Sequence, residues 1–131
     1  MQKKRVVVTG LGALTPIGNN VEAYWEGLKG GKSGSALITY FDTEKFKTKF
    51  ACELKGFDPM DYFDRKEARK LDRFTQYALV SSDEAIADAG LDLEKVDKFR
   101  VGVIWGAGIG GLETFQTEVL NFAQGDGTPR L

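Results

Sequence analysis

Two short runs of the sequence, Arg5-Val6-Val7-Val8 and Val101-Gly102-Val103-Ile104-Trp105, are continuously apolar and largely β-branched, and each breaks onto a glycine-bearing loop. A continuous run of this kind predicts a strand covered on both faces, the kind found in parallel or mixed sheets rather than in a half-solvated hairpin. Covered strands need helices as their cover, and the intervening sequence supplies helical patterns. The resulting order β, α, β, α, β, α predicts a layered α/β fold. No repeat, low-complexity segment or linker divides the chain, so residues 1–131 read as one unit.

The segments between fall into place around that frame. Gly10 to Gly18 forms the first loop, after which Asn19 is the expected helix cap, with Glu22 as its capping-box partner. Val21, Tyr24, Trp25 and Leu28 form the buried face of that helix, which Gly30-Gly31 ends. Residues 32–44 read as a loop. Residues 45–55 alternate, with Phe46, Thr48, Phe50, Cys52 and Leu54 on one side, and predict a strand with one solvated face. Asp58-Pro59 reads as a cap and first helical position. A single long helix is expected over 65–89, with Leu71, Phe74, Ala78, Ser81, Ser82, Ala85 and Ala89 on or near one side and Gly90 as its stop. The small residues on that side imply close packing against a partner. A last helix carries Leu112, Phe115, Val119 and Phe122 and ends near Gly125. Phe115 and Phe122 read as core or dimer contacts.

Composition narrows the chemistry. The sequence contains no histidine, which removes every Ser-His or Cys-His dyad and every His-ligated metal site from these residues. Its one cysteine, Cys52, has no disulfide partner in the sequence. The place of Cys52 between Phe50 and Leu54 predicts a packed core thiol rather than a nucleophile, because no helix start or histidine stands beside it to lower its pKa. The net charge of -1 supplies no global field for nucleic acid or membrane. The basic start Lys3-Lys4-Arg5 leads into an apolar run too short for a signal core, so a cytoplasmic protein is expected.

Three features remain with two readings each. The first loop offers Gly10-x-Gly12 but has Thr15 where a dinucleotide fingerprint needs its third glycine, and a tight strand-to-helix turn explains it. Arg65, Lys66, Arg69, Lys70 and Arg73 place five cations in nine residues, with Arg65, Arg69 and Arg73 as one helical stripe. They form either a solvated face with internal ion pairs or a docking patch for an acidic protein. A nucleic-acid surface is disfavoured, because stacking aromatics are not interleaved among them. Ile109, between Gly108 and Gly110, is either an ordinary apolar residue at a strand end or part of a ligand pocket there.

Three segments in register bring a family into view: Arg5-Val-Val-Val-Thr-Gly-Leu-Gly-Ala-Leu-Thr-Pro-Ile-Gly18, Asp64-Arg-Lys-Glu-Ala-Arg-Lys-Leu-Asp-Arg-Phe74 continuing into Gln76-Tyr77-Ala78, and Gly106-Ala-Gly-Ile-Gly-Gly111. Together they resemble the elongating, type II beta-ketoacyl-acyl-carrier-protein synthases, over nearly the whole chain. The resemblance implies a thiolase-like fold of α, β, α, β, α layers, of which this chain is part of the first half, and a homodimer. It implies an acyltransferase of fatty acid biosynthesis, joining an acyl chain held on a cysteine to malonyl-acyl-carrier protein with loss of carbon dioxide. The family's cysteine and two histidines match nothing in this sequence and are expected beyond Leu131, so these residues alone are expected to be inactive. By the same resemblance Lys66, Arg69, Lys70 and Arg130 bind the acyl carrier protein, with Leu131 where some relatives have lysine. Ile109 gates the acyl pocket. No cofactor is implied on this chain, since phosphopantetheine is carried by the partner. A polyketide ketosynthase, a chain-length factor and a non-catalytic carrier-binding module remain alternatives. The two apolar runs would belong to a larger sheet, and the small-residue helix face to a partner outside the chain. The 131 residues alone are therefore expected to self-associate or to be marginally stable.

Overall fold

The computed structural model describes residues 3–126 and residue 128. Helix α1 spans Val21–Lys29 and is capped by Asn20, whose Oδ1 accepts from Ala23 N at 2.7 Å. The cap is thus one residue later than expected. Asn19 instead donates from Nδ2 to the Lys55 carbonyl at 2.8 Å and ties the helix start to a distant loop. The turn before it is closed by two backbone bonds between Thr15 and Gly18, which is the tight turn expected of this loop. The expected buried face of α1 is not buried, since Trp25 and Leu28 are both exposed. The covered position is Gly27, against Ile17.

Strands β1 (Ala36–Leu37) and β2 (Phe50–Ala51) pair antiparallel with Ala36 opposite Ala51. Ile38 N extends the ladder to Lys49 O at 3.0 Å. The strand expected over 45–55 is therefore only two residues long, and its partner comes from the expected loop. Asp58 caps a 3-10 turn at Pro59–Asp61, as the Asp-Pro pair foretold.

The expected helix over 65–89 is two helices. Short α2 spans Arg65–Ala68 and α3 spans Arg73–Asp88. Asp64 caps α2, with Oδ1 accepting from Lys66 N and Glu67 N. Gln76, only 5% exposed, donates from Nε2 to the carbonyls of Ala68 at 2.9 Å and Leu71 at 3.2 Å. It satisfies the carbonyls left bare where α2 ends, so the break costs little. Helix α4 spans Leu112–Gln124.

The small-residue side of α3 does have a partner within the chain, contrary to expectation. A Cβ at Gly10 would lie 2.1 Å from Ala85 O, and one at Gly12 would lie 1.8 Å from Ser81 O. Only glycine lets the loop backbone approach the helix this closely. Carboxylates of α3 fasten the same loop. Asp88 accepts from Leu11 N, while Glu84 accepts from Ala13 N through Oε2 and from Val21 N through Oε1, all at 2.8 Å. Glu84 thus binds the loop and the first turn of α1 with one side chain.

Both expected buried strands are absent as strands. Residues 5–8 and 101–105 form no ladder, and Val6, Val103 and Ile104 are 90%, 86% and 99% exposed. The physical reason is that no described segment runs beside them to take their backbone hydrogen bonds. Among the described residues Val80 is the one buried large apolar side chain. The accessible surface is 11389 Å², against about 6,800 Å² for a compact monomer of this mass.

Candidate functional site

The basic cluster lies at the elbow between α2 and α3. Arg65, Lys66, Arg69 and Lys70 are all exposed, and none of them is in an ion pair among the described residues. The acids Asp64 and Glu67 do not neutralise them. Asp64 is spent on capping its own helix. Arg73 behaves differently, because the break moves it onto α3. Its Nε pairs with Glu113 Oε2 at 3.2 Å, and its guanidinium lies 4.7 Å from the Tyr40 ring centre. Partial burial works against its charge. The Glu113 carboxylate and the phenols of Tyr77 and Tyr40 outweigh that and hold its pKa above the ordinary value. The single Arg65–Arg69–Arg73 stripe expected from helical spacing therefore does not form.

The elbow borders an open cleft of about 570 Å³, whose lining includes Arg69, Phe74, Tyr77, Tyr40, Leu112 and Ile109. Ile109 is 76% exposed and stands in the turn before α4. Next to it, a Cβ at Gly110 would be 2.8 Å from the Phe74 ring, so ring and backbone are in close contact. Gly111 has φ +74°, a conformation suited to glycine. Asp72, at the start of α3, makes no side-chain cap to its own helix and accepts instead from the Thr114 hydroxyl. Tyr77 has its phenol pushed up from the usual value by partial burial, then by Tyr40 beside it.

The expected site residues are thus brought together in part. Arg69 and Ile109, forty positions apart in sequence, share one cleft. Lys66 and Lys70 stand on the solvent side of the same elbow, and Arg130 lies outside the described residues. Cys52 is exposed and follows the two-residue strand β2, so it is not the core thiol expected. Alternation placed it on a covered side, but nothing covers that side. Among the described residues no helix is long and apolar enough to cross a membrane.

Residues 3–130 match the family model described as beta-ketoacyl synthase, N-terminal domain. The chain belongs to the beta-ketoacyl synthase family. The chain is 52% identical over 115 residues to 3-oxoacyl-(acyl-carrier-protein) synthase 2 of Staphylococcus aureus (strain COL), covering 88% of this chain and 28% of that protein. The counterpart of the same name from Vibrio cholerae serotype O1 is 48% identical over 117 residues, with 89% and 28% covered. The chain thus spans a little over a quarter of the length of these curated relatives. Among solved structures, the ishigamide ketosynthase/chain length factor superposes with a TM-score of 0.79 at 35% identity, over 92% of this chain and 30% of that one. A type II PKS acyl-carrier protein in complex with its ketosynthase bound to the hexaketide superposes with a TM-score of 0.73 at 31% identity, over 93% and 32%. The chain accordingly has the fold of the amino-terminal part of the thiolase-like ketosynthases.

Reasoning from sequence missed Tyr40, Asp72, Glu113 and Thr114. Asp72 had a readable signal. It is a helix-capping residue type lying inside an assumed helix, which marks a second helix start. Tyr40 and Thr114 had none, because only the fold brings them to α3.

Proposed function

We propose that the protein carrying this domain is a 3-oxoacyl-acyl-carrier-protein synthase that condenses an acyl chain with malonyl-acyl-carrier protein in fatty acid elongation. The domain supplies the carrier dock and the mouth of the acyl pocket. The observation that carries this reading is the meeting of Arg69, one of the unpaired cations of the elbow, with Ile109 at one cleft. An acidic carrier held on Lys66, Arg69 and Lys70 would present its phosphopantetheine arm at the cleft that Ile109 overlooks. Arg130 is assigned to the same patch by resemblance. Charge placed at the rim in this way speeds and orients encounter more than it deepens affinity. The condensing cysteine and histidines belong to other parts of the enzyme, since this sequence has no histidine and its one cysteine is on the surface. The enzyme works as a homodimer in the cytoplasm and needs no cofactor of its own. The higher identity to the fatty acid synthases than to the polyketide structures favours elongation of fatty acids over a polyketide role.

The test is charge reversal in the full-length protein. Lys66→Glu with Arg69→Glu is expected to weaken carrier binding on the order of tenfold or more at low salt. The defect is expected to shrink at high salt, because exposed charges are screened over about 8–10 Å at moderate ionic strength. Unchanged carrier affinity at low salt would reduce this elbow to a solvated surface.

A further inference from the structure

We propose that Asp72, Arg73 and Phe74 form a positioning device that ties the Ile109 turn to the docking elbow, so that a carrier seated on α2 biases the position of Ile109. The inference rests on the function proposed above and adds its regulation. Three consecutive residues at the start of α3 each hold a different point of the turn and of α4. The Asp72 carboxylate accepts from the Thr114 hydroxyl. Arg73 pairs with Glu113 at 3.2 Å. The Phe74 ring lies against Gly110, where a Cβ would come within 2.8 Å. Asp72 could have capped α3, as its position invites, but its side chain makes no such bond and reaches α4 instead. On the docking side, Gln76 pins the carbonyls of Ala68 and Leu71. Arg69 and Lys70 therefore sit on a short connector fastened at both ends.

The grip on the Ile109 turn comes from α3. Downstream, Gly110, Gly111, Glu113 and Thr114 are all held. Ile109 thus takes its position from a turn anchored on the start of α3, and an equilibrium between positions of that turn is felt at the docking elbow. A ligand shifts such an equilibrium only through contacts that differ between its states. The elbow supplies them, because a carrier pulling on Arg69 and Lys70 acts on the connector that leads directly into Asp72.

The experiment uses the full-length protein with short and long acyl groups, each offered on carrier protein and on a free pantetheine thioester. The double variant Glu113→Gln, Thr114→Val releases α4 from α3 and leaves the α2 cations in place. Both side chains are exposed, and valine matches threonine in shape. With carrier-borne substrates the long-to-short ratio of kcat is expected to fall on the order of tenfold, a cost in keeping with a small misplacement of a positioned group. Because coupling between two sites is reciprocal, carrier Kd is expected to weaken by no more than the factor lost from the ratio, and Thr114→Ser alone to keep the wild-type ratio. With the free thioester, wild type and double variant are expected to give one ratio. Equal loss at both lengths, an unchanged ratio, a carrier Kd weakened beyond that factor, or the same loss on the free thioester would each overturn the coupling. Ile109→Phe in the same assay separates the two levels. If it discriminates by length while the double variant does not, only the coupling fails. If it does not discriminate, the pocket reading fails and the coupling with it.

Discussion

Ile109 owes its importance to where its backbone puts it. Ile109 lines the cleft beside α3, so substitution there is expected to change access to the cleft. Ile109→Phe in the full-length protein is expected to lower kcat/KM for long acyl chains by on the order of tenfold or more relative to short ones. A series of acyl donors of increasing length checks this, and equal loss at every length would signal a folding defect. Cys52 teaches the opposite lesson. Its residue type and its alternating neighbours argued for burial, and it is on the surface. Alternation shows which residues share a side, but a partner has to be present before that side is a core.

At the scale of elements, α3 organises the described structure through two acids one turn apart. Glu84 and Asp88 face the loop at residues 10–13, and Glu84 also reaches the α1 start. Removing the Glu84 carboxylate leaves Val21 N without its acceptor in the first turn of α1, where an acidic group is favoured. Glu84→Ala in the full-length protein is expected to cost about 1–2 kcal/mol locally. Amide exchange in the first turn of α1 is expected to speed up about tenfold, and unchanged exchange at Ala13 and Val21 would count against the latch. Much of this scale was legible in the sequence. The glycine loop, the Asp58-Pro59 cap, the helix stops near Gly30 and Gly90, and the reach of α4 all follow from local rules. The break at residues 69–72 was not, because Lys70-Leu71 continues a good helical pattern. What closes that break is Gln76, a side chain eight residues from the carbonyl it satisfies. The docking residues were legible as a charge cluster, whereas the clasp onto α4 joins positions 42 apart that no local pattern links.

The whole molecule is defined by its uncovered surface. Val6, Val8, Val103 and Ile104 are bare, and along α4 Leu112, Phe115, Val119 and Phe122 all face outward although their spacing marks one apolar side. The expected long-range cover for these residues is the rest of the ketosynthase sheet and its layers. Taken alone, the 131 residues are expected to self-associate, or to melt without cooperativity or below ~45 °C, the low end for ordinary domains. Light scattering with a thermal melt decides it, and a monodisperse monomer melting cooperatively above that temperature would refute the expectation.

The latch from α3 also sets a clock. Leu11, Ala13 and Val21 take their acceptors from residues 77, 71 and 63 positions further along the chain. A growing polypeptide cannot close those bonds until Glu84 and Asp88 have been made. At about 5–20 residues per second, Leu11, Ala13 and Val21 wait roughly 3–15 s after their own synthesis for these acceptors. Throughout that interval Val6-Val7-Val8 is a short bare apolar run on a nascent chain. That delays residues synthesised well before their acceptors, and it puts them within reach of any chaperone that patrols the ribosome exit.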